Sequence, residues 1–246
     1  MTRPPALGSQ RLAWRSATFL AAVVAFVVVT AALGAAARGA GPDPATKTGT
    51  VFVSAGSVAT VDLQAVPGQL TIVGAATGRV TLSGPLNWTG HSPAATIGFA
   101  AGHTLRLSYR CAAASPCTAD WRLVVPWRTA VVLRQPSGHV VMSGLAGPLR
   151  ITAGSVDVSA TGLRCPSLAA AITSGHLGAM FVAAPRQVSV TLRSAQATIW
   201  LPGGAAYAVS GQVTDGYLNA GIPQAAGAPR TVTARIVSGE LDLLAG

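Results

Sequence analysis

Apolar and polar residues alternate through the second half of the chain in a short phrase that returns about every twenty residues. Each phrase has a small residue, then a glycine or alanine at its centre, then alternating apolar residues. The second and fourth residues after each centre are apolar in every copy, which predicts a strand with one buried face. The third residue before it is apolar in all copies except one, where it is Gln135. The centres are Gly138, Gly154, Gly175, Ala195, Gly216 and Gly239.

A strand that returns with this period is typical of stacked repeat architectures. The pattern therefore predicts an all-β fold, a β-solenoid with coils of about twenty residues, and it places the glycines at corners where the chain turns. An early copy of the phrase lies at 77–82, but the period breaks over 83–130. We interpret that stretch as an irregular N-terminal cap, because the terminal coil of a solenoid must be covered.

The residues directly after the centres are mostly polar and are predicted to point outward. Stacking would align them into one outer column that differs from coil to coil, and any recognition is expected there. His139 and His176 would lie about 9–10 Å apart, two coils along the column, which is too far for a shared metal ion. The predicted column is Arg79, His139, Ser155, His176, Gln196, Tyr217 and Glu240.

The N-terminal segment has the pattern of a membrane anchor. Residues 17–37 carry no charge and no proline, and a helix of that length can cross the hydrocarbon core. Arg3, Arg11 and Arg15 precede it, which predicts that residues 1–16 are a cytoplasmic tail. Residues 38–49 are expected to be a flexible linker, followed by an extracytoplasmic domain at 50–246. Cleavage after Ala37 is the alternative, and it would release a secreted protein.

Charge restricts the partners that this domain is expected to bind. The chain holds 17 lysines and arginines against 7 acids, a net charge of +10, but the arginines are scattered singly along the sequence. This pattern argues against nucleic acid as a partner and is compatible with an anionic envelope polymer or lipid headgroups. A membrane protein is another candidate partner. The sequence predicts no cofactor and leaves the oligomeric state open.

Two of the three cysteines are spaced for a disulfide. Cys111 and Cys117 flank a five-residue turn that contains Pro116, and thiols outside the membrane oxidise, so we expect them to be bonded. Cys165 is then left over and is expected to be a buried, inert thiol. Two cysteines without further ligands nearby do not form a metal site.

The repeats resemble a bacterial family, the putative adhesin domain, which is found behind single membrane anchors. The resemblance covers about residues 60–244 and rests on the recurring Ser-Gly phrases, on the Asp-Trp-Arg-Leu-Val-Val-Pro run at 120–126 and on the Leu-Pro-Gly-Gly run at 201–204. It implies a β-solenoid in the cell envelope. The family brings no catalytic residues that can be assigned to positions of this chain.

The expected function is therefore non-catalytic: an adhesin-like binding or scaffold domain on the outer side of the cell membrane. One alternative is a sensor of envelope stress that acts through a membrane partner. Another is a solenoid enzyme acting on polysaccharides, for which Glu240 and Asp242 would be the carboxylate pair. The seven scattered acids argue against the enzyme, and we expect this pair to be a solvated edge.

Overall fold

A computed structural model describes residues 24–28 and 46–246, and all of its regular structure is strand. This confirms the prediction of an all-β fold. The described residues contain no helix with the length and apolar character that a membrane crossing requires. The strands are β1 (Val24–Val28), β2 (Lys47–Gly56), β3 (Thr60–Gln64), β4 (Gly68–Ala75), β5 (Arg79–Trp88), β6 (Ala94–Ala100), β7 (Thr104–Arg110), β8 (Cys117–Pro126), β9 (Ala130–Ser143), β10 (Leu149–Leu163), β11 (Ser167–Phe181), β12 (Gln187–Leu201), β13 (Ala208–Gly221) and β14 (Thr231–Ala245).

Six long strands form the regular part of the molecule as a parallel stack. The order is β9-β10-β11-β12-β14-β13, so the last two strands are exchanged relative to the chain. Alternate residues of β9 to β12 and of β14 point inward and are almost fully buried, as Leu133, Ile151, Leu192 and Leu243 show. Glu240 and Asp242, expected to form a solvated edge, lie on β14, but β13 pairs with the far side of β14 and is the edge of the stack.

The corner glycines allow the strands to approach each other closely. Gly138 and Gly175 have φ of +114° and +100°, and they pair with Val156 on the strand between them. A Cβ on Gly175 would lie 2.3 Å from the carbonyl oxygen of Val156, far inside van der Waals contact. Only glycine combines this backbone conformation with this spacing.

The register of the second repeat differs from the predicted one by two residues. Val156, and not Gly154, pairs with Gly138, so the phrase in β10 is Ser155-Val156-Asp157-Val158. Val156 is 2% exposed, and its side chain therefore supplies apolar contact at a corner that elsewhere holds glycine or alanine. As a result Asp157, and not Ser155, is aligned with His139 and His176.

The stack continues on the other side of β9, through shorter strands. β3 pairs in parallel with the first half of β9 and β4 with its second half, and β7 and β8 then pair in parallel with β3 and β4. Gln135 lies beside the break between β3 and β4, where its amide donates hydrogen bonds to the carbonyls of Val66 (3.1 Å) and Ser137 (2.8 Å). This break explains why one inward position of the pattern is polar.

The predicted irregular cap is thus only partly irregular. β7 and β8 extend the parallel stack, whereas β6 pairs antiparallel with β7, and β5 and β2 continue antiparallel beyond β8. The phrase at 77–82 leads into β5, which runs in the opposite direction to the repeats. Arg79 at the start of β5 pairs with Gly56 of β2 and therefore lies outside the outer column, contrary to the prediction.

The predicted anchor lies mostly outside the described residues. Within 17–37 the structure describes Val24–Val28, which are extended because they pair antiparallel with Thr50–Ser54 of β2. At these five positions the structure differs from the predicted helix. The tail at 1–16 and most of the linker at 38–49 also lie outside the described residues, so the single span stays a prediction.

The cysteines have the predicted states. Cys111 and Cys117 are bonded, with Cα atoms 5.5 Å apart. Cys165 is a free thiol and 1% exposed, and burial raises its pKa from 9.0 to about 12. An unfolded chain would lose this proton at lower pH than the folded one, so the buried thiol lowers stability as pH rises from about 9 toward 12.

We expect Gly175→Ala to destabilise the protein by more than about 1 kcal/mol. Alanine is strained at this positive φ, and its methyl group would overlap the carbonyl oxygen of Val156. The matched variant is Ala195→Gly, at the equivalent corner of β12, with an expected cost of only about 0.5–1 kcal/mol. Urea unfolding of both proteins measures the difference. Equal effects at the two corners would contradict this account of the glycine.

We expect Cys165 to resist alkylation by iodoacetamide at pH 8 in the folded protein and to react rapidly in urea, because the folded thiol is buried and protonated. Mass spectrometry without reductant should show no modified cysteine before unfolding and one afterwards. Fast labelling of the folded protein would disprove the assignment of Cys165 as a buried thiol.

The double variant Cys111→Ser/Cys117→Ser should lose about 2 kcal/mol of stability, the chain-entropy value for so short a loop. Urea unfolding measures this loss.

Candidate binding surface

The outer column of the structure follows the strand order and not the chain order. It contains five of the seven predicted residues, and Asp157 takes the place predicted for Ser155 while Arg79 is absent. Gln69 and Asp120 extend it over β4 and β8, which sequence periodicity had missed. From β8 to β13 the column is Asp120, Gln69, His139, Asp157, His176, Gln196, Glu240 and Tyr217.

Side chains on successive strands of this outer column contact each other directly. His176 lies between Asp157 and Gln196, with Nδ1 at 3.2 Å from a carboxylate oxygen and Nε2 at 2.8 Å from the amide oxygen. His139 approaches the same carboxylate of Asp157 from the other side, with Nδ1 at 3.6 Å. The two imidazoles thus share one acid, which orients the rings although all three side chains are more than half exposed.

The far end of the column holds the acids. Glu240 raises the pKa of the Tyr217 hydroxyl above its ordinary value, mainly through a side-chain hydrogen bond, with smaller effects of desolvation and of the charges on Glu240 and Asp242. Asp242 lies two residues beyond Glu240 on β14 and accepts a hydrogen bond of 3.0 Å from the amide of Asn219. The hydrogen bond from Asn219 orients the carboxylate of Asp242.

The outward positions before the corner have the opposite charge. Among the described residues they hold six exposed arginines and two carboxylates, that of Asp62 and that of Asp215 directly before the corner of β13. We call this surface the arginine face. Its arginines come from β7, β9, β10, β12 and β14 and are far apart in sequence. They are Arg106, Arg110, Arg134, Arg150, Arg193 and Arg235.

One end of the arginine face is a hollow of about 460 Å³. Asp62 forms salt bridges with Arg134 and, at 3.9 Å, with Arg106, and the side-chain oxygen of Gln64 accepts a hydrogen bond of 3.2 Å from Arg110. The hollow is therefore lined by one carboxylate and three guanidinium groups. The side chains of Arg106 and Arg134 are more than half exposed, so an anionic group in solution can reach them.

No protein-family model matches the chain, and no curated protein matches its sequence. Two solved structures are similar to it. One, from Clostridium sporogenes, is described as a putative cell adhesion protein and is 12% identical, with a TM-score of 0.49 over 82% of this chain and all of the other. The second, from Bacteroides fragilis, is described as a putative adhesin and is 12% identical, with a TM-score of 0.42 over 83% of this chain and all of the other.

Both are named for adhesion. Their names agree with the family that the repeats resemble. With TM-scores below 0.5 and 12% identity, the likeness carries no argument about the function of this chain. The case for function therefore depends on the surfaces themselves.

The described residues of the two surfaces do not form a metal centre. Among residues 46–246 no three side chains of the histidine, cysteine or acid type come together as ligands for a metal ion. Asp157 separates His139 from His176, which agrees with the spacing expected from the sequence. What the arrangement offers is a rigid array of hydrogen-bonding groups on one side of the corner and guanidinium groups on the other.

We expect spectrophotometric titration to detect the contact between Tyr217 and Glu240. The chain has three tyrosines, and burial raises the pKa of Tyr109 to about 12 and that of Tyr207 above its ordinary value. Glu240→Gln removes a negative charge beside Tyr217, so about one third of the phenolate signal should move to lower pH. Asp215→Asn, on the same strand as Tyr217, is the control and should leave the curve unchanged. An unchanged curve for Glu240→Gln would contradict the contact.

Proposed function

We propose that this protein is a non-catalytic, adhesin-like binding protein of the bacterial cell envelope. In this proposal the segment 17–37 anchors it to the membrane as a single span and the domain faces the outside. The parallel strands are coils of a β-solenoid, and the arginine face binds an anionic envelope polymer. The observation that carries the proposal is the separation of charge across the corner.

The geometry of the arginine face suits an extended ligand. Adjacent parallel strands lie about 4.8 Å apart, so the eight rungs from β7 to β13 extend over about 34 Å. Exposed guanidinium groups recur along this length, from Arg106 at one end to Arg235 near the other. A flexible polymer with repeated phosphate, sulfate or carboxylate groups can contact several of them at once, and such multivalent contact strengthens binding.

Charge on the opposite side of the corner supports this choice of surface. The outer column and its neighbours carry Asp120, Asp157, Glu240 and Asp242 against one arginine, Arg122, among the described residues. A polyanion is repelled there and attracted by the arginine face. We therefore propose that recognition is not confined to the outer column, as expected from the sequence, and that polyanions bind the arginine face instead.

The proposal predicts that full-length protein in nonionic detergent binds dextran sulfate and does not bind neutral dextran. The triple variant Arg150→Gln/Arg193→Gln/Arg235→Gln should bind dextran sulfate at least tenfold more weakly at about 50 mM salt, where screening is modest. None of these arginines forms a salt bridge within the described residues, so folding should persist. Isothermal titration calorimetry gives the affinities.

The matched control is Arg79→Gln/Arg122→Gln/Arg128→Gln, which removes the same charge from exposed arginines elsewhere. If both triple variants lose affinity equally, binding follows net charge alone and the arginine face is not the site.

Release of new reducing ends from an envelope polysaccharide during incubation would instead favour the enzyme. Fractionation of cells tests the anchor separately: the protein should remain with membranes in high salt.

A further inference from the structure

The outward residues next to the outer column contain a gap at β11. Two residues beyond the outer column, the neighbouring strands carry Ser159, Thr198 and Asp242, whereas β11 has Gly178. A Cβ on Gly178 would meet its nearest heavy atoms at 3.8 and 3.9 Å, so there is room for a side chain. The φ of this glycine is not positive, and neither strain nor crowding requires glycine there.

Trp200 of β12 lies beside this gap. Its Cζ3 atom would be 3.9 Å from a Cβ on Gly178, so the indole ring lies near the place that a side chain would fill. Trp200 is only partly buried. The result is an aromatic surface at the border of an open hollow of about 320 Å³, at the lower end of the range of small-molecule sites.

Polar groups line the rest of the hollow, and three of them are held by side-chain hydrogen bonds. His176, Gln196, Thr198, Glu240 and Asp242 all border it. His176 is held by its contacts with Asp157 and Gln196, and Asp242 by the amide of Asn219. The amide, carboxylate and imidazole groups can form hydrogen bonds with the hydroxyl groups of a sugar. The indole of Trp200 provides an apolar surface against which a pyranose ring can pack.

Charge decides the class of sugar. The hollow has two carboxylates and neither lysine nor arginine among its lining residues, so an acidic sugar is repelled. An uncharged hydroxyl group, by contrast, donates to a carboxylate in a charge-assisted hydrogen bond. We propose that the hollow between Gly178, Trp200, Glu240 and Asp242 is a binding site for a neutral hexose unit of a glycan. It is separate from the proposed polyanion surface, on the other side of the corner.

The test uses full-length protein in a detergent with a polyoxyethylene headgroup, so that no detergent sugar competes. Cellohexaose, mannohexaose and N-acetylchitohexaose are the probes, with hexagalacturonate as the acidic comparison. Saturation-transfer NMR detects contact and calorimetry gives affinity. We expect at least one neutral hexasaccharide to bind at the hollow. Hexagalacturonate can bind the arginine face instead, so its affinity should be the same in the original protein and in Gly178→Thr. Absence of binding by all three neutral probes would overturn the proposal.

Gly178→Thr fills the gap with threonine, the residue found at the equivalent position 198 of the next strand. It should lower the affinity for the glycan at least tenfold. Val141→Thr, at the equivalent position of β9 and outside the hollow, is the matched control and should bind like the original protein. Trp200→Ala provides a second test if the threonine variant is poorly folded, which a thermal melt reveals. Unchanged affinity in a folded Gly178→Thr or Trp200→Ala variant would exclude the site.

Two further outcomes separate this site from its alternatives. Dextran sulfate binding should be unchanged in Gly178→Thr, since the arginine face is untouched, and a parallel loss of both activities would contradict two separate sites. Titration with Ca²⁺ alone tests whether the carboxylates form a cation site instead. Binding of Ca²⁺ that is lost in Glu240→Gln, without any bound glycan, would overturn the sugar assignment.

Discussion

Parallel pairing in register is the constraint on which every surface of this protein depends. In the buried long strands the alternation of inward residues breaks at the corner. There the backbone of one strand approaches the next so closely that a Cβ on Gly138 would lie 1.9 Å from the carbonyl oxygen of Gly68. The corners therefore align strand upon strand. Once they are aligned, every residue at a given distance from the corner has an equivalent on the neighbouring strands, and outward side chains form columns.

This constraint also explains which parts of the fold follow from sequence. Alternation predicted the long strands, their buried faces and the outward position of His139, His176 and Gln196. It was wrong for the face of β13, which is the edge of the stack and leaves Val213 41% exposed. It could not distinguish Ser155 from Asp157, because a shift of two residues keeps every side chain on the same face of the strand. A corner filled by Val156 instead of glycine removed the one mark of register that the sequence offers. The exchange of β13 and β14 left no local signal, since both carry the same repeat and either fits beside β12.

The charge pattern was hidden for a related reason. The six arginines of the arginine face come from five strands, and along the sequence they look isolated. A separation of about twenty residues in this stack places side chains one or two rungs apart, or about 5–10 Å. Strand order and register are needed before such scattered charges can be assigned to a face. The same holds for Gly178 and Trp200, which lie on neighbouring strands.

Separate faces for charged and neutral ligands are consistent with the range of electrostatic forces in solution. At physiological ionic strength the Debye length is about 8 Å, so a charge more than two rungs away is largely screened. The arginines lie on the strand halves before the corner, and Asp157, Glu240 and Asp242 lie on the halves after it, so the two kinds of charge border different volumes of solvent. A polyanion on the arginine face need not be repelled by Glu240, and a neutral glycan at Trp200 gains little from Arg235. If both proposals hold, one domain would bind a polyanion and a neutral glycan on separate faces, and the screening between those faces would let each ligand bind without the other.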